Sequence, residues 1–342
     1  MLKYLTLISF YLLSINCISS TQKISEDSVY DSFGVVYSAI NPRTVSDYSV
    51  LIVEPYFYSN QDIIDLQTRG IKVLAYLSLG EVNESRQYFN DLKEIGLKGK
   101  NENHGSYYID ISNREVKEKF LNQIVPQLLS LGYDGLFLDT IDAVAPYTIR
   151  RDMEEDMVEL IQGIRKNNPD KVLIQNAGFF LLDQTSEYVN AVAIEGVASG
   201  YDFKENEYLL KSEKEFEERL NFIGSMYGNY GIPFLIIDFA ESFEKSLIVK
   251  ERLTKTGYPF FISNIGFNGL PNWSKKSPKL KMVIDKKAKI VYEDMQPGDV
   301  KATYANTQSL ENEINFKPNT SINVGIKKFI SWYISYYKKS SN

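Results

Sequence analysis

The sequence predicts a (β/α)8 barrel with a short C-terminal extension. Short apolar runs, rich in β-branched and aromatic residues, alternate with longer amphipathic stretches. This alternation passes through eight apolar runs within roughly 240 residues, the usual size of such a barrel. The runs are almost continuously apolar, as expected of parallel strands that are covered on both faces.

Eight strands are predicted from these runs. They read FGVVYS, VLIVEP, KVLAYLSL, GLFLDT, VLIQN, AVAIEG, PFLIIDF and FFISNI, at 33–38, 50–55, 72–79, 135–140, 172–176, 191–196, 233–239 and 260–265. A doubly wound open sheet is the alternative arrangement. No glycine-rich G-x-G-x-x-G fingerprint follows the first strand to support it.

Helices are predicted for the amphipathic stretches between the strands. The best examples span 113–132, 152–169, 212–231 and 241–257. Each ends at glycine or at Asn-Pro, which are ordinary stop signals for a helix. The first is predicted to begin at Asn113, a favourable N-cap residue.

The first twenty residues have the layout of a secretory signal peptide. A lysine precedes an apolar run over 4–15, and small residues follow. Cleavage after Ser19 or Ser20 would remove Cys17, the only cysteine, and with it any chance of a disulfide. Lipid attachment at Cys17 and an N-terminal core helix are the alternatives. We expect an extracytoplasmic protein with no transmembrane span in the mature chain, since the run is too short to cross a bilayer.

The chain is predicted to have three parts: a signal peptide (1–20), a (β/α)8 barrel domain (21–273), and a linker with a C-terminal tail (274–342). The linker begins with the basic, proline-containing stretch WSKKSPKLK. The tail ends in an amphipathic segment, SINVGIKKFISWYISYYKK. The barrel is therefore expected to be complete before the tail begins.

Charge and composition exclude several classes of function. The net charge of −6 and the isoelectric point near 5.2 argue against nucleic acid as a partner, because phosphate binding requires a basic face. The only histidine, His104, lies in a polar loop and is expected to be solvated. Neither a zinc-site pattern nor a serine-hydrolase elbow nor a nucleotide-binding loop is present. We expect a monomer that needs no metal and no cofactor.

Acidic residues occur at the ends of five of the eight predicted strands. In a (β/α)8 barrel the active site lies at the C-terminal ends of the strands. A buried carboxylate is costly unless it is paired or hydrogen-bonded, so these acids are interpreted as the lining of a cleft. The polar residues at or just beyond the strand ends are Tyr37, Glu54, Ser78, Glu81, Asp139, Asp142, Gln175, Asn176, Glu195, Asp238, Ser263 and Asn264.

Carboxylates gathered in one cleft move one another's pKa values apart, so that one stays protonated while another is ionised. Glycoside hydrolysis requires such a pair. Asp139 and Glu195 are the candidates for it. The other acids have structural alternatives: a turn cap at Asp142, an ion pair of Glu54 with Arg86 or Arg43, and an orienting contact at Asp238.

Six motifs occur in a characteristic order: GIKVLAYLSLGEVNESRQYF, YYIDISNREVKEKFL, GYDGLFLDTIDAV, LIQNAG, AIEGV and PFLIIDFA. Together they resemble the glycoside hydrolases of family 114, the endo-α-1,4-polygalactosaminidases. The hydrolase domain of Pel polysaccharide proteins is a relative of this family. The resemblance covers residues 30–272.

This resemblance implies a secreted barrel that cleaves galactosamine-containing polysaccharide, with catalytic acids at Asp139 and Glu195. A galactosamine polymer with free amines is basic, which suits an acidic protein. Asn176 corresponds to a strand-five Asn that donates to a substrate hydroxyl. The cleft-lining motif of strand three corresponds to Tyr76, Ser78, Gly80, Glu81 and Arg86. The predicted substrate-binding set also takes in Tyr37, Glu54, Asp142, Asp238 and Asn264.

Two positions depart from the family pattern and leave subsite detail open. Thr140 stands where the family often has Asn, and Phe239 stands where it often has Tyr. The mechanism is expected to use Asp139 as acid/base and Glu195 as nucleophile, with retention of configuration. A carboxyl separation of about 5–5.5 Å would indicate retention, and one of about 6.5–9.5 Å would indicate inversion.

The tail carries a second resemblance. MQPGDVKATYA and KPNTSINVGIKKFISWY resemble the C-terminal end of NAD-dependent nucleotide-sugar epimerases, such as UDP-glucuronate epimerases. The chain has no nucleotide fingerprint and no Tyr followed four residues later by Lys, so no epimerase activity is expected. Two alternatives to a hydrolase stay open: a carbohydrate-binding barrel without turnover, and a fused epimerase fragment.

Overall fold

The computed structural model describes Tyr30, residues 32–102, residues 104–271, Lys328 and Phe329. Contacts between Cα atoms divide the chain into two units, Met1–Lys275 and Lys276–Asn342, and the fold below belongs to the first. The predicted signal peptide lies outside the described residues. So does the predicted tail, apart from Lys328 and Phe329. These parts of the domain assignment stay predictions.

Eight parallel strands form one sheet in which each strand pairs with its neighbours along the sequence. Every strand lies within its predicted range, and all residues of the first two strands are buried. In chain order the barrel strands are Phe33–Val36, Val50–Val53, Lys72–Ser78, Gly135–Asp139, Val172–Asn176, Ala191–Glu195, Phe234–Phe239 and Phe260–Ser263.

The first and last strands come together and nearly close the sheet into a barrel. The rings of Phe33 and Phe261 lie 6.1 Å apart between centroids. Just beyond these strands, the Tyr37 N–H donates to the Phe267 carbonyl at 3.0 Å. The prediction of a (β/α)8 barrel is confirmed.

Helices occupy the connections between the barrel strands. The four predicted helices are confirmed, with ends that differ from the prediction by up to three residues. The α-helices are Asn60–Gln67, Phe89–Ile95, Arg114–Lys119, Val125–Ser130, Glu154–Asn167, Leu182–Thr185, Glu213–Tyr230 and Phe243–Thr254. Short 3-10 helices are Pro42–Thr44, Pro55–Phe57, Ile141–Val144, Arg151–Met153 and Phe179–Leu181.

The helical stretch before the fourth strand contains a π-helical segment, Phe120–Ile124, between Arg114–Lys119 and Val125–Ser130. Its cause is local. Pro126 has no N–H, and its ring would clash with a carbonyl in a regular α-helix. The wider π turn removes this conflict, because the Val125 N–H bonds to the Phe120 carbonyl instead. The predicted N-cap is confirmed, since the Asn113 side chain accepts the Glu115 N–H at 2.9 Å.

Two antiparallel insertions follow barrel strands and were not predicted. A three-stranded sheet of Glu81–Val82, Ser106–Ile109 and Leu97–Asn101 follows the third strand. A hairpin of Ser199–Asp202 and Glu207–Leu210 follows the sixth. Exposed His104 meets Phe203 of the hairpin, with ring centroids 5.8 Å apart. Within the described part of the chain, no helix combines the length and apolar character needed to span a membrane.

Candidate active site

Three neighbouring barrel strands end on three polar side chains. Asp139, Asn176 and Glu195 are the last residues of the fourth, fifth and sixth strands. Because these strands are parallel and paired in register, their last residues meet at one edge. The Asn176 Nδ2 donates to Asp139 Oδ1 at 2.8 Å and to Glu195 Oε1 at 2.9 Å. One amide group therefore joins the two predicted catalytic acids.

This shared donor limits how far apart the acids can be. The two N–O distances add up to 5.7 Å, which is an upper limit on the distance between Asp139 Oδ1 and Glu195 Oε1. Such closeness agrees with a retaining pair, in which the two carboxyl groups lie about 5–5.5 Å apart. The other Asp139 oxygen accepts the Tyr76 hydroxyl at 2.7 Å. Asp139 thus accepts two hydrogen bonds from neutral donors.

The two acids differ in their surroundings. Burial, followed by the charge of Asp139, raises the pKa of Glu195 to about 7. A carboxyl group with this pKa is about half protonated at neutral pH and can give up a proton there. Burial and the Asp139 charge also raise the pKa of Tyr76 well above its usual value, which keeps its hydroxyl a neutral donor. Glu195 is therefore the carboxyl of this pair that can act as an acid near neutral pH.

Tyr37 supports this arrangement from the first strand. Its ring lies 4.8 Å from the ring of Tyr76 and 4.8 Å from that of Phe267. Burial, then the charge of Asp139, raises its pKa well above the usual value. Tyr37 thus packs behind Tyr76 and holds the donor to Asp139 in place.

A cavity of about 300 Å³ opens above the acid pair. Asp142 lines it, and its carboxylate accepts the Gly178 N–H at 3.0 Å. Gly178 belongs to the loop after the fifth strand, so this contact joins two loops and differs from the predicted cap of the turn after Asp142. Sequence reasoning missed one charged residue of the cavity, Arg219. It lies on a surface helix rather than at a strand end, and no local pattern distinguishes it from its neighbours. The lining residues are Asp139, Thr140, Ile141, Asp142, Asn176, Ala177, Phe179, Ile194, Glu195 and Arg219.

Glu54 and Arg86 form a buried ion pair, which was the structural alternative for Glu54. Two hydrogen bonds join the guanidinium to the carboxylate, the longer at 2.8 Å, and both side chains are at most 15% exposed. The guanidinium also lies 5.5 Å from the Tyr76 ring centroid. The pair therefore supports Tyr76, and the predicted substrate-binding role of both residues stays a prediction.

Ser78 and Glu81 are also engaged within the protein. The Ser78 hydroxyl contacts the Thr140 hydroxyl at 2.7 Å and the Glu81 carbonyl. The Glu81 carboxylate accepts from Asn101 at 3.0 Å and from the Ser106 hydroxyl, which ties the third strand to the inserted sheet. Both residues therefore shape the loop after the third strand, and their predicted substrate contacts stay predictions.

Thr140 adopts a left-handed backbone conformation, with φ of 58°. Asn tolerates this region better than a β-branched residue, which explains why the family often has Asn here. In this chain the Thr140 hydroxyl accepts the Gly80 N–H at 2.8 Å and contacts Ser78. These bonds hold the strained residue that directly follows Asp139.

Gly80→Ala is expected to lower the free energy of unfolding by about 1–3 kcal/mol. A Cβ at Gly80 would lie 2.3 Å from the Thr140 carbonyl oxygen and 2.5 Å from the Ala143 Cβ, so the loop must shift. Urea unfolding measures the change. Gly224→Ala is the matched control, because a Cβ there meets nothing within 4 Å and alanine suits a helix. Equal stability of the two variants would contradict the prediction.

Asp238 is fully buried and does not face the cavity. Its carboxylate accepts the backbone N–H groups of Val197, Ala198 and Ser199 at 3.1, 2.7 and 2.7 Å, and the Ser199 hydroxyl. Val197, Ala198 and Ser199 lie in the segment that follows Glu195. Asp238 is thus a positioning residue for the loop that follows Glu195, which corrects its predicted contact with substrate.

Asn264 shapes the turn after the eighth strand. Its side-chain oxygen accepts the Asn268 N–H at 3.1 Å, and its carbonyl accepts the Phe267 N–H at 3.1 Å. It is absent from the lining of the acid-pair cavity. The substrate contact predicted for Asn264 stays a prediction.

Residues 17–246 match the profile of Glycoside-hydrolase family GH114, which is more than half of the chain. The chain belongs to this family. The predicted family resemblance is confirmed, and the protein is a glycoside hydrolase. The acid pair lies at the C-terminal ends of the strands, where (β/α)8 barrels hold their active sites.

Two solved structures share the GH114 barrel fold. The glycoside hydrolase domain of PelA from Pseudomonas aeruginosa has a TM-score of 0.62 and 22% identity, and covers 70% of this chain and 96% of that chain. Ega3 of Aspergillus fumigatus, in complex with galactosamine, has a TM-score of 0.56 and 14% identity, and covers 70% and 93%. Both are similar to this protein in fold.

A third relative is of another kind. UDP-glucuronate 4-epimerase 1 of Arabidopsis thaliana is 52% identical over 40 residues, which are 12% of this chain and 9% of that protein. The chain spans about a quarter or less of the length of the first curated relatives it matches. So short a match agrees with the predicted resemblance of the tail to the end of an epimerase.

Proposed function

We propose that this GH114 protein acts outside the cytoplasm and hydrolyses internal α-1,4 linkages of galactosamine-containing polysaccharide, with retention of configuration. The single observation that carries the proposal is the Asn176 amide, which donates to both Asp139 and Glu195. It keeps the two acids within the range in which one carboxylate can reach the anomeric carbon while the other reaches the leaving oxygen.

The contacts favour Asp139 as the nucleophile, which reverses the role expected from the sequence. Donors from Tyr76 and Asn176 point at its carboxylate, one on each oxygen. A carboxylate with one hydrogen bond on each oxygen is held in place for attack on the anomeric carbon. These bonds also fix the direction of attack, since the carboxylate cannot rotate without losing both.

Glu195 is then the acid/base residue, consistent with its raised pKa of about 7. In the first step its proton passes to the glycosidic oxygen as that bond to the anomeric carbon breaks, and an Asp139 oxygen bonds to the same carbon. In the second step Glu195 takes a proton from water, the water oxygen attacks the anomeric carbon, and the bond to Asp139 breaks. Two displacements leave the configuration unchanged.

Galactosamine as the sugar is supported by the relatives and by charge. Ega3 has been solved with galactosamine bound. The cavity contains Asp142 beside the acid pair, and a carboxylate here can accept hydrogen bonds from an ammonium group. An acidic protein also attracts a basic polymer over distance.

The proposal is tested with the full chain and a partly de-N-acetylated α-1,4-galactosamine polymer. Mass spectrometry of released oligosaccharides and proton NMR of the first anomer formed are the readouts. We expect a ladder of oligomers whose new reducing ends are in the α form. A β-1,4-glucosamine polymer of equal charge is the control and should stay intact. Equal cleavage of both polymers, or of neither, would contradict the proposed specificity.

The pH dependence of kcat/KM distinguishes the two role assignments. If Glu195 must be protonated, activity is present below its pKa and falls up to tenfold per pH unit above about pH 7. If Glu195 were the nucleophile, activity would instead rise through pH 7. Initial rates on a fully N-acetylated α-1,4-galactosamine oligomer are measured from about pH 4 to about pH 9. Its sugar leaving group must be protonated, and it has no free amines that titrate in this range.

A further inference from the structure

Arg219 is a cation that lines the acid-pair cavity and has no partner in the described part of the chain. It is partly buried on the helix Glu213–Tyr230, between the sixth and seventh barrel strands. Asp139, Asp142 and Glu195 line the same cavity, yet none of them lies within the 4.0 Å of an ion pair with its guanidinium. The guanidinium donors are therefore available to a molecule in the cavity.

The position of Arg219 is determined by packing on both sides. A capping box of Ser212 and Glu215 begins its helix. Three residues beyond Arg219, on the same helix face, the Phe222 ring packs edge-on against Phe179 at 5.1 Å, and Phe179 also lines the cavity. Arg219 is thus presented to the cavity by a helix that is packed against the loop after the fifth strand.

The charges around the cavity restrict what Arg219 can bind. A guanidinium only donates hydrogen bonds, so its ligand must offer an acceptor, and it repels an ammonium group. A carboxylate ligand would meet three acids of the same cavity, which disfavour it. An acetamido carbonyl is an acceptor without net charge and satisfies both conditions.

We propose that Arg219 is a specificity-determining residue that binds the acetamido oxygen of an N-acetylated sugar adjacent to the cleaved bond. The inference rests on the proposed function and refines its substrate. The enzyme then acts on partly N-acetylated galactosamine polymer, with one subsite that selects the acetylated sugar. The acids of the cavity remain free to accept a neighbouring free amine.

The test uses the full chain and α-1,4-galactosamine hexamers that are either fully de-N-acetylated or N-acetylated at single known positions. Mass spectrometry locates each cut relative to the acetylated residue. We expect wild type to prefer hexamers with an acetyl group at one fixed position by about tenfold in kcat/KM, the usual size of a charge-assisted hydrogen bond. Arg219→Gln should reduce this ratio to about one, and Arg219→Lys should recover part of it.

Lys214→Gln is the matched control, because Lys214 is an exposed cation on the same helix, 86% accessible, that pairs with Glu218 outside the cavity. It should leave the ratio unchanged. A wild-type preference for fully de-N-acetylated hexamers, or an unchanged ratio in Arg219→Gln, would overturn the proposal. Tighter binding of oligogalacturonate than of the acetylated hexamer would overturn it as well.

Failure of the proposed function has a different signature. If wild type cleaves no hexamer, the proposed hydrolysis of galactosamine polymer is refuted. Calorimetric measurement of the binding of intact hexamers then tests whether Arg219 binds the acetamido group. Tighter binding of an acetylated hexamer to wild type than to Arg219→Gln would then support the subsite. Equal binding to both proteins would refute the subsite as well.

Discussion

Asp139→Asn and Glu195→Gln are each expected to lower kcat for galactosamine polymer by about 10³-fold or more. Both substitutions keep the size of the side chain and remove the charge or the proton that the chemistry needs. Asn at position 139 cannot attack the anomeric carbon as a carboxylate. Gln at position 195 cannot protonate the leaving oxygen. Initial rates of oligosaccharide release from the polymer measure both losses.

An aryl galactosaminide separates the two roles, because its leaving group departs without protonation. Glu195→Gln should still release a burst of phenol equal to the enzyme concentration and then stall, since the covalent intermediate on Asp139 forms but is not hydrolysed efficiently. Asp139→Asn should release none. The opposite pattern would assign the nucleophile to Glu195.

Asp170→Asn is the control for these variants. Asp170 is an exposed acid just before the fifth strand, at the opposite end of the barrel from the acid pair. Its rates should match those of wild type. Wild-type rates in Asp139→Asn or Glu195→Gln would remove the acid pair from the mechanism and favour a barrel that only binds carbohydrate.

Asp238→Ala is expected to lower the free energy of unfolding by about 3–5 kcal/mol. The carboxylate is the acceptor for three backbone N–H groups, those of residues 197–199, in a site with no exposure to solvent. Without it these donors stay buried and unsatisfied, and each costs about 1–3 kcal/mol. Guanidinium unfolding followed by circular dichroism measures the loss.

Two further variants separate acceptor loss from simple truncation. Asp238→Asn keeps the volume but turns part of the acceptor into a donor, so an intermediate loss is expected. Ser199→Ala removes one hydroxyl that contacts Asp238 and should cost about 1 kcal/mol. A loss below about 1 kcal/mol for Asp238→Ala would show that water or a rearranged loop satisfies these donors.

The loop held by Asp238 begins directly after Glu195, so its loss should also affect catalysis. For Asp238→Asn, kcat is expected to fall with little change in KM, and the alkaline limb near pH 7 should shift as the surroundings of Glu195 loosen. A variant that loses stability but keeps the wild-type pH profile would make Asp238 purely structural.

Local sequence pattern was sufficient for the barrel and for the acid pair. Each apolar run can be recognised from the local sequence alone. The C-terminal ends of the strands in a (β/α)8 barrel lie at one face, independently of the lengths and conformations of the loops. Asp139, Asn176 and Glu195 were therefore predictable as neighbours. The hydrogen bonds from Asn176 to Asp139 and Glu195 confirm that these three residues are neighbours. The inserted sheet was not predictable, because its strand Leu97–Asn101 is largely exposed and has no alternating pattern.

Partners that are distant in sequence were decided by tertiary structure alone. The sequence left both Arg86 and Arg43 open as partners of Glu54, and only the fold selects Arg86. Nothing near Asp238 reveals that its oxygens accept the backbone N–H groups of residues 197–199. The same holds for Arg219, whose helix face is turned to the cavity by packing on Phe179. The roles of the two acids also depend on the fold. Burial and the neighbouring Asp139 charge raise the pKa of Glu195, and both exist only once the strands lie side by side.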